Sequence, residues 1–353
     1  MVFRIDRMVH PSVRLQCTQL AFSLLHKLIP LEPEGVTFCK HLTVNSVRCS
    51  GDTRRAPFWQ HSLRTRSEAA KRGRMFICFF GLILVSYVRS VHRYSEYLRT
   101  KFASIEEIEA DIKELTACFG SPKRIFLQGA DGFAADYDVL MKTAELLHKY
   151  VPSVESIGGY ARIDNFYDKT EEQLRNLASV GYSNPYIGVE SGDDVVLKRI
   201  NKGYTAAQAR EVLEKVDASG MPYVVNYLCG AGGRGYGLVN AKHTAQLYDG
   251  LHMTMVNASM LTVVPGTPLY RAMQKGLWEE STEMEKMEEI HELVRCLTND
   301  TVFMNEHASN LFHVECRIPE KKDEQLSYIR KFMESHDETQ FRKYREQITH
   351  AFL

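Results

Sequence analysis

The sequence predicts an α/β fold: a partial or full TIM-like (β/α) barrel with parallel strands and a C-terminal helical extension. Three observations carry this. From residue 102 onward, amphipathic helical segments alternate with short apolar runs of strand length, the pattern of a parallel sheet with right-handed crossovers. Several of these runs end in Gly and acidic residues, at the strand ends where a barrel binds its ligand. Beyond residue 270 the chain is charged and helix-patterned, which reads as a capping extension.

The elements follow in order. Ser104 with Glu107 three residues on forms a capping box, and Ile105, Ile108, Ile112 and Leu115 recur at helical spacing. Gly120, Ser121 and Pro122 end that helix. The run RIFLQ over 124–128 reads as a buried strand opening into Gly129, Asp131 and Gly132. The same unit repeats as helix 137–150, strand 156–162, helix 170–180, strand 186–191, helix 205–219, strand 223–230, helix 240–249 and strand 257–265. These are five strands, and a barrel needs a sixth upstream. Helices are expected over 279–298 and 320–334.

Composition divides the chain. With 353 residues and 44% hydrophobic content it can bury a sizeable core. The net charge is zero, yet residues 1–101 hold 17 Lys and Arg against 6 Asp and Glu, leaving 27 against 38 for the remainder. Residues 1–96 form an unassigned basic N-terminal segment, 97–270 the barrel, and 271–353 a helical subdomain. No nucleic-acid signature is present. The apolar run 75–88 is shorter than the ~20 residues that cross a bilayer as a helix, and it reads as a buried strand or core helix in preference to a span. The eight cysteines (17, 39, 49, 78, 118, 229, 296 and 316) include no C-x2-C or C-x3-C pair, so spacing assigns no metal site. Scattered thiols without a secretory leader place the chain in the cytoplasm.

Three strand ends carry candidate chemistry. In Gly129-Ala130-Asp131-Gly132 the glycines allow close backbone approach and Asp131 can accept a hydrogen bond from an ammonium, although an ordinary strand-to-helix turn has the same composition. In Ile187-Gly188-Val189-Glu190-Ser191-Gly192 a carboxylate at a strand mouth can accept from both hydroxyls of a ribose. Glu190 can equally pair with Lys198, Arg199 or Lys202, any of which can also clamp a carboxylate. Leu228-Cys229-Gly230-Ala231-Gly232-Gly233 is a glycine-rich loop. As a dinucleotide fingerprint it is weak, with Asp249 only a loose candidate for the required acid. His307, on a polar loop, can ligate, shuttle a proton or cap a helix.

In order and spacing these stretches resemble the radical S-adenosylmethionine (radical SAM) superfamily, in the group that includes oxygen-independent coproporphyrinogen oxidases, methylthiotransferases and the elongator catalytic subunit. The most specific stretch is YIGVESGDDVVLKRINKGYT over 186–205. The 263–270 turn and the 307–310 segment also look like their counterparts, so the resemblance runs over 97–319. It implies that Gly129 and Asp131 lie where the family binds the methionine amino group, although Ala130 and Asp131 replace part of its usual GGE-like motif. Tyr160 and Arg162 would end the next strand. Glu190 and Ser191 would take the ribose, and Tyr227 and Gly230 belong to the strand beside the adenine.

The resemblance further implies S-adenosylmethionine and a 4Fe-4S cluster as cofactors, an electron donor, and reductive cleavage to a 5'-deoxyadenosyl radical acting on an unidentified small-molecule or macromolecular substrate. The C-x3-C-x2-C motif that holds such a cluster is missing: its expected window, 77–96, contains only Cys78. Three readings stand. The domain has lost its cluster and become an inactive nucleotide-binding or scaffold barrel; distant Cys39, Cys49 and Cys78 substitute; or residues 1–96 are a wrongly assembled, non-native stretch. The abrupt charge shift favours the third.

Overall fold

The computed structural model describes residues 103–119, 122–127, 131–307 and 309–352. Helix α1 (Ile105–Phe119) opens on the expected capping box: Glu107 N–H donates to Ser104 Oγ at 3.2 Å and Ser104 N–H to Glu107 Oε2 at 3.0 Å. Its Ile108 and Ile112 are buried. Alternation then proceeds through β1 (Arg124–Leu127), α2 (Tyr137–Tyr150), β2 (Ser156–Ala161), α3 (Glu171–Ser179) and β3 (Tyr186–Glu190). It continues with α4 (Asp194–Arg199), α5 (Ala206–Ala218), β4 (Val224–Cys229), α6 (Gly237–Tyr248) and β5 (Met255–Met260). Thr170 and Thr205 cap α3 and α5 with Gln173 and Gln208 as reciprocal partners, so both helices start where their sequences signal it.

The strands form one sheet in sequential order, parallel from β1 to β5. Each crossover therefore advances in the same direction, which is the winding of a barrel. Among the described residues the sheet is open, with β1 at one edge. The sixth, upstream strand, the 75–88 run and the whole 1–96 segment fall outside the described residues.

The sheet continues past residue 270, within the stretch expected as a helical extension. After α7 (Pro268–Gln274) and α8 (Glu283–Cys296), β6 (Thr301–Met304) pairs parallel with β5, and β7 (Glu315–Ile318) pairs antiparallel with β6. Helices α9 (Lys322–Glu334) and α10 (Glu338–Phe352) follow. Both added strands have four residues, and β7 alternates exposed and buried positions as an edge strand does. β7, reading ECRI, lacks the apolar run by which the other strands are recognised.

Side-chain alternation gives the sheet two faces. Ile157, Ile187, Val189, Val225, Cys229, Val256, Ala258 and Met260 are buried against the helices and form the core. The other face carries Phe126, Tyr160 and Tyr186, whose rings meet edge to face at centroid distances of 5.0, 5.9 and 6.1 Å. Gly158 keeps this inner face level: a Cβ there would stand 3.3 Å from the Phe126 ring. Among the described residues no helix is long and apolar enough to cross a membrane.

Candidate active site

A continuous polar chain runs along the C-terminal ends of β1, β2 and β3. Asp131, leaving β1, accepts through Oδ2 from Asn165 Nδ2 at 3.2 Å. Asn165 Oδ1 in turn accepts from the backbone N–H of Arg162 at 2.7 Å, at the end of β2. The Arg162 guanidinium grips Asp164 through two bonds of 2.8 and 2.9 Å and donates to the Lys202 carbonyl at 3.1 Å. Lys202 Nζ then meets Glu190 Oε1, at the end of β3, at 3.3 Å. Asp131, Arg162 and Glu190 are thereby brought together, with Tyr160 beside them on the same face.

Two features of this chain are incomplete in a way that suits a ligand. Asp131 Oδ1 is buried and has no hydrogen-bond partner among the described residues, and burial raises the carboxyl pKa above its ordinary value. An orphan buried acceptor calls for a donor. Glu190 has φ +66, and its N–H-bearing neighbour Ser191 donates back to the Val189 carbonyl at 2.9 Å, a tight three-residue turn. This turn swings the Glu190 carboxylate back over Gly188, where a Cβ would lie 2.8 Å from Oε1 and 3.4 Å from Lys202 Nζ. Only a glycine leaves room for the carboxylate there. Burial pushes the Tyr160 phenol up to about 12, so it is a neutral donor near pH 7.

Ser191, Tyr227 and Gly230 lie behind the sheet, in a separate buried network, and not on the inner face with the others. Ser191 Oγ donates to Asn240 Oδ1 at 2.6 Å. Asn240 Nδ2 donates to Tyr227 Oη at 3.0 Å and to Glu289 Oε1 at 2.8 Å. Tyr227 also donates to Glu289, and Gly230 N–H to Glu289 Oε2 at 2.9 Å. Their polar groups are engaged within the protein, whereas the cofactor-contact expectation for these three rests on the resemblance alone. On β4 the inner positions are Asn226 and Leu228, and Asn226 Oδ1 accepts from Asn257 Nδ2 of β5 at 2.8 Å. Burial pushes the Glu289 carboxyl up to about 6 despite the donors around it.

Gly129 lies outside the described residues. His307 bonds Ser309 locally, Oγ to Nδ1 at 2.7 Å, and burial lowers its pKa. It is not part of the chain of contacts. Arg199 donates to the Gly232 carbonyl, leaving Lys202 as the partner of Glu190. Asn165 and Asn226 carried no signal in the sequence, because a lone Asn in a turn or strand has no diagnostic spacing.

The cofactors implied by the resemblance can be tested against these residues. The orphan Asp131 oxygen, the Glu190 carboxylate and the Lys202 ammonium fit the ammonium, ribose and carboxylate of S-adenosylmethionine. For the cluster the described residues do not fit: no group of three or more His, Cys, Asp or Glu is placed to hold a metal ion. Cys229 and Cys316 are buried, and burial raises the pKa of both thiols. Cys39, Cys49 and Cys78 lie outside the described residues.

A sequentially wound parallel sheet with helical crossovers defines the class of (β/α) barrel-like folds. Residues 78–235 match the family model of the radical SAM superfamily. The match begins at Cys78, upstream of the point where the resemblance sets in.

Among solved structures the chain is similar to archaeal Elp3 of Methanocaldococcus infernus lacking residues 1–46. The identity is 15%, the TM-score 0.44, and the likeness covers 65% of this chain and 58% of that one. Coproporphyrinogen III oxidase (HemN) from Escherichia coli is similar at 13% identity and TM-score 0.43, covering 58% and 45%. A methylornithine synthase is similar at 15% identity and TM-score 0.39, covering 57% of each. The chain thus spans less than two thirds of these proteins. No curated protein matches it.

Proposed function

We propose that this chain is a radical SAM enzyme, cytoplasmic and of unidentified substrate, whose barrel binds S-adenosylmethionine across the ends of β1, β2 and β3. The single observation that carries the reading is the orphan Asp131 oxygen at one end of a polar chain that ends at the Glu190–Lys202 pair. Asp131 would accept from the methionine ammonium and Glu190 from the ribose hydroxyls. Lys202, released from Glu190, would meet the methionine carboxylate. Arg162 positions Lys202 through its carbonyl, and Asn165 positions Asp131.

These groups bind and orient; they do not supply an electron. Bound S-adenosylmethionine would supply a sulfonium open to reductive cleavage; the described residues offer no ligand set for a reducing cluster, so no step is assigned to them.

The test is anaerobic reconstitution of the full chain with iron and sulfide, then dithionite reduction with S-adenosylmethionine. The reading expects cluster absorbance and 5'-deoxyadenosine. Absence of both, with the protein folded, contradicts it.

A further inference from the structure

The loop that carries Glu190 is fastened at three consecutive residues to one face of α6. Ser191 Oγ donates to Asn240 Oδ1 at 2.6 Å, Gly192 N–H donates to Thr244 Oγ1 at 2.8 Å, and Asp193 Oδ2 lies 2.6 Å from His243 Nδ1. Asn240, His243 and Thr244 stand at helical spacings of three and four, so they share that face. The contact is close enough to require glycine: a Cβ on Gly192 would fall 2.6 Å from both the His243 carbonyl oxygen and Thr244 Cα. Asp193 locks the other side, its Oδ1 accepting from Val195 N–H at 2.9 Å and Val196 N–H at 3.1 Å as the N-cap of α4.

Glu190 immediately precedes these fastenings and holds a positive φ that a non-glycine residue keeps only when its surroundings impose it. We propose that Asn240, His243 and Thr244 are positioning residues, holding residues 191–193 so that the turn at Glu190 aims its carboxylate at the inner face of the sheet. The inference rests on the proposed S-adenosylmethionine site. None of the three touches that face: they act through Glu190.

A double-mutant cycle on the full chain, read by S-adenosylmethionine titration calorimetry, tests this. His243→Ala and Thr244→Ala should each weaken binding by about tenfold, on the scale of one hydrogen bond. His243→Asn and Thr244→Ser keep a group able to make the bond and should bind within about threefold of wild type. In a Glu190→Ala background neither alanine change should weaken binding further. Circular dichroism melting separates variants that fail to fold. Wild-type affinity in folded His243→Ala and Thr244→Ala, or an undiminished loss in the Glu190→Ala background, overturns the proposal. Wild-type affinity in Glu190→Ala alone removes the ribose reading itself, and the inference with it.

Discussion

The Glu190 carboxylate rests over Gly188 with Lys202 Nζ 3.3 Å away, and both side chains are largely buried at the mouth of β3. The pair is neutral as a unit and a ligand can divide it: the acid to hydroxyls, the base to a carboxylate.

Gly188 tests that arrangement with little cost to the fold. A methyl at this position meets the mobile end of Glu190 before any backbone atom. Gly188→Ala is expected to weaken S-adenosylmethionine binding by about tenfold while changing stability by less than about 1 kcal/mol. Calorimetric titration and urea unfolding read the two quantities separately.

Lys202→Met leaves a half-buried carboxylate without its partner. Stability should fall by about 1–3 kcal/mol in urea unfolding, and binding should weaken as well. Retention of full affinity would show that Lys202 serves Glu190 alone.

Glu289 links pH to stability. Its folded pKa, about 6, stands above its ordinary value of 4.5, so the folded state holds this proton more tightly than the unfolded state does. The contribution is fully present below 4.5 and is lost as pH rises through about 6. That difference is worth about 2 kcal/mol. Glu289→Gln should abolish this component, so the stability gap between wild type and variant shifts by that amount between pH 4.5 and 6.5. A constant gap across the range contradicts the assignment.

A second buried network ties α10 to the barrel. Arg345 binds Glu283 through bonds of 3.0 and 2.7 Å, and Glu283 also meets Lys286 Nζ at 2.9 Å. Burial pushes the Glu283 carboxyl up, but Arg345 and Lys286 outweigh it and hold it below its ordinary value. Arg345→Met should cost about 3 kcal/mol or more, because the loss leaves Glu283 undercompensated in the interior. Adding Glu283→Gln should recover part of that loss in urea unfolding.

Much of this architecture is legible in the sequence because its signals are local. Ser104, Thr170 and Thr205 announce their helices, and β1 to β5 stand out as apolar runs between them. The stretch Gly188-Val189-Glu190 stands out as a candidate for the same reason. Which way each side chain faces is less legible. In Val224 to Cys229 both alternating sets contain apolar residues, so the pattern does not say that Tyr227 faces the helices and Asn226 the interior. At Ser191 the alternation is broken by the positive φ of Glu190. The long-range contacts of Asn165, Asn240 and Glu289 depend on the fold and leave no trace in spacing.

The most direct test of the S-adenosylmethionine site is calorimetric titration of the ligand into the full chain and into Asp131→Asn and Glu190→Ala. Binding to the wild type, weakened about tenfold or more in each variant, is the predicted result. Equal affinity in all three proteins would contradict the placement of the cofactor at these strand ends.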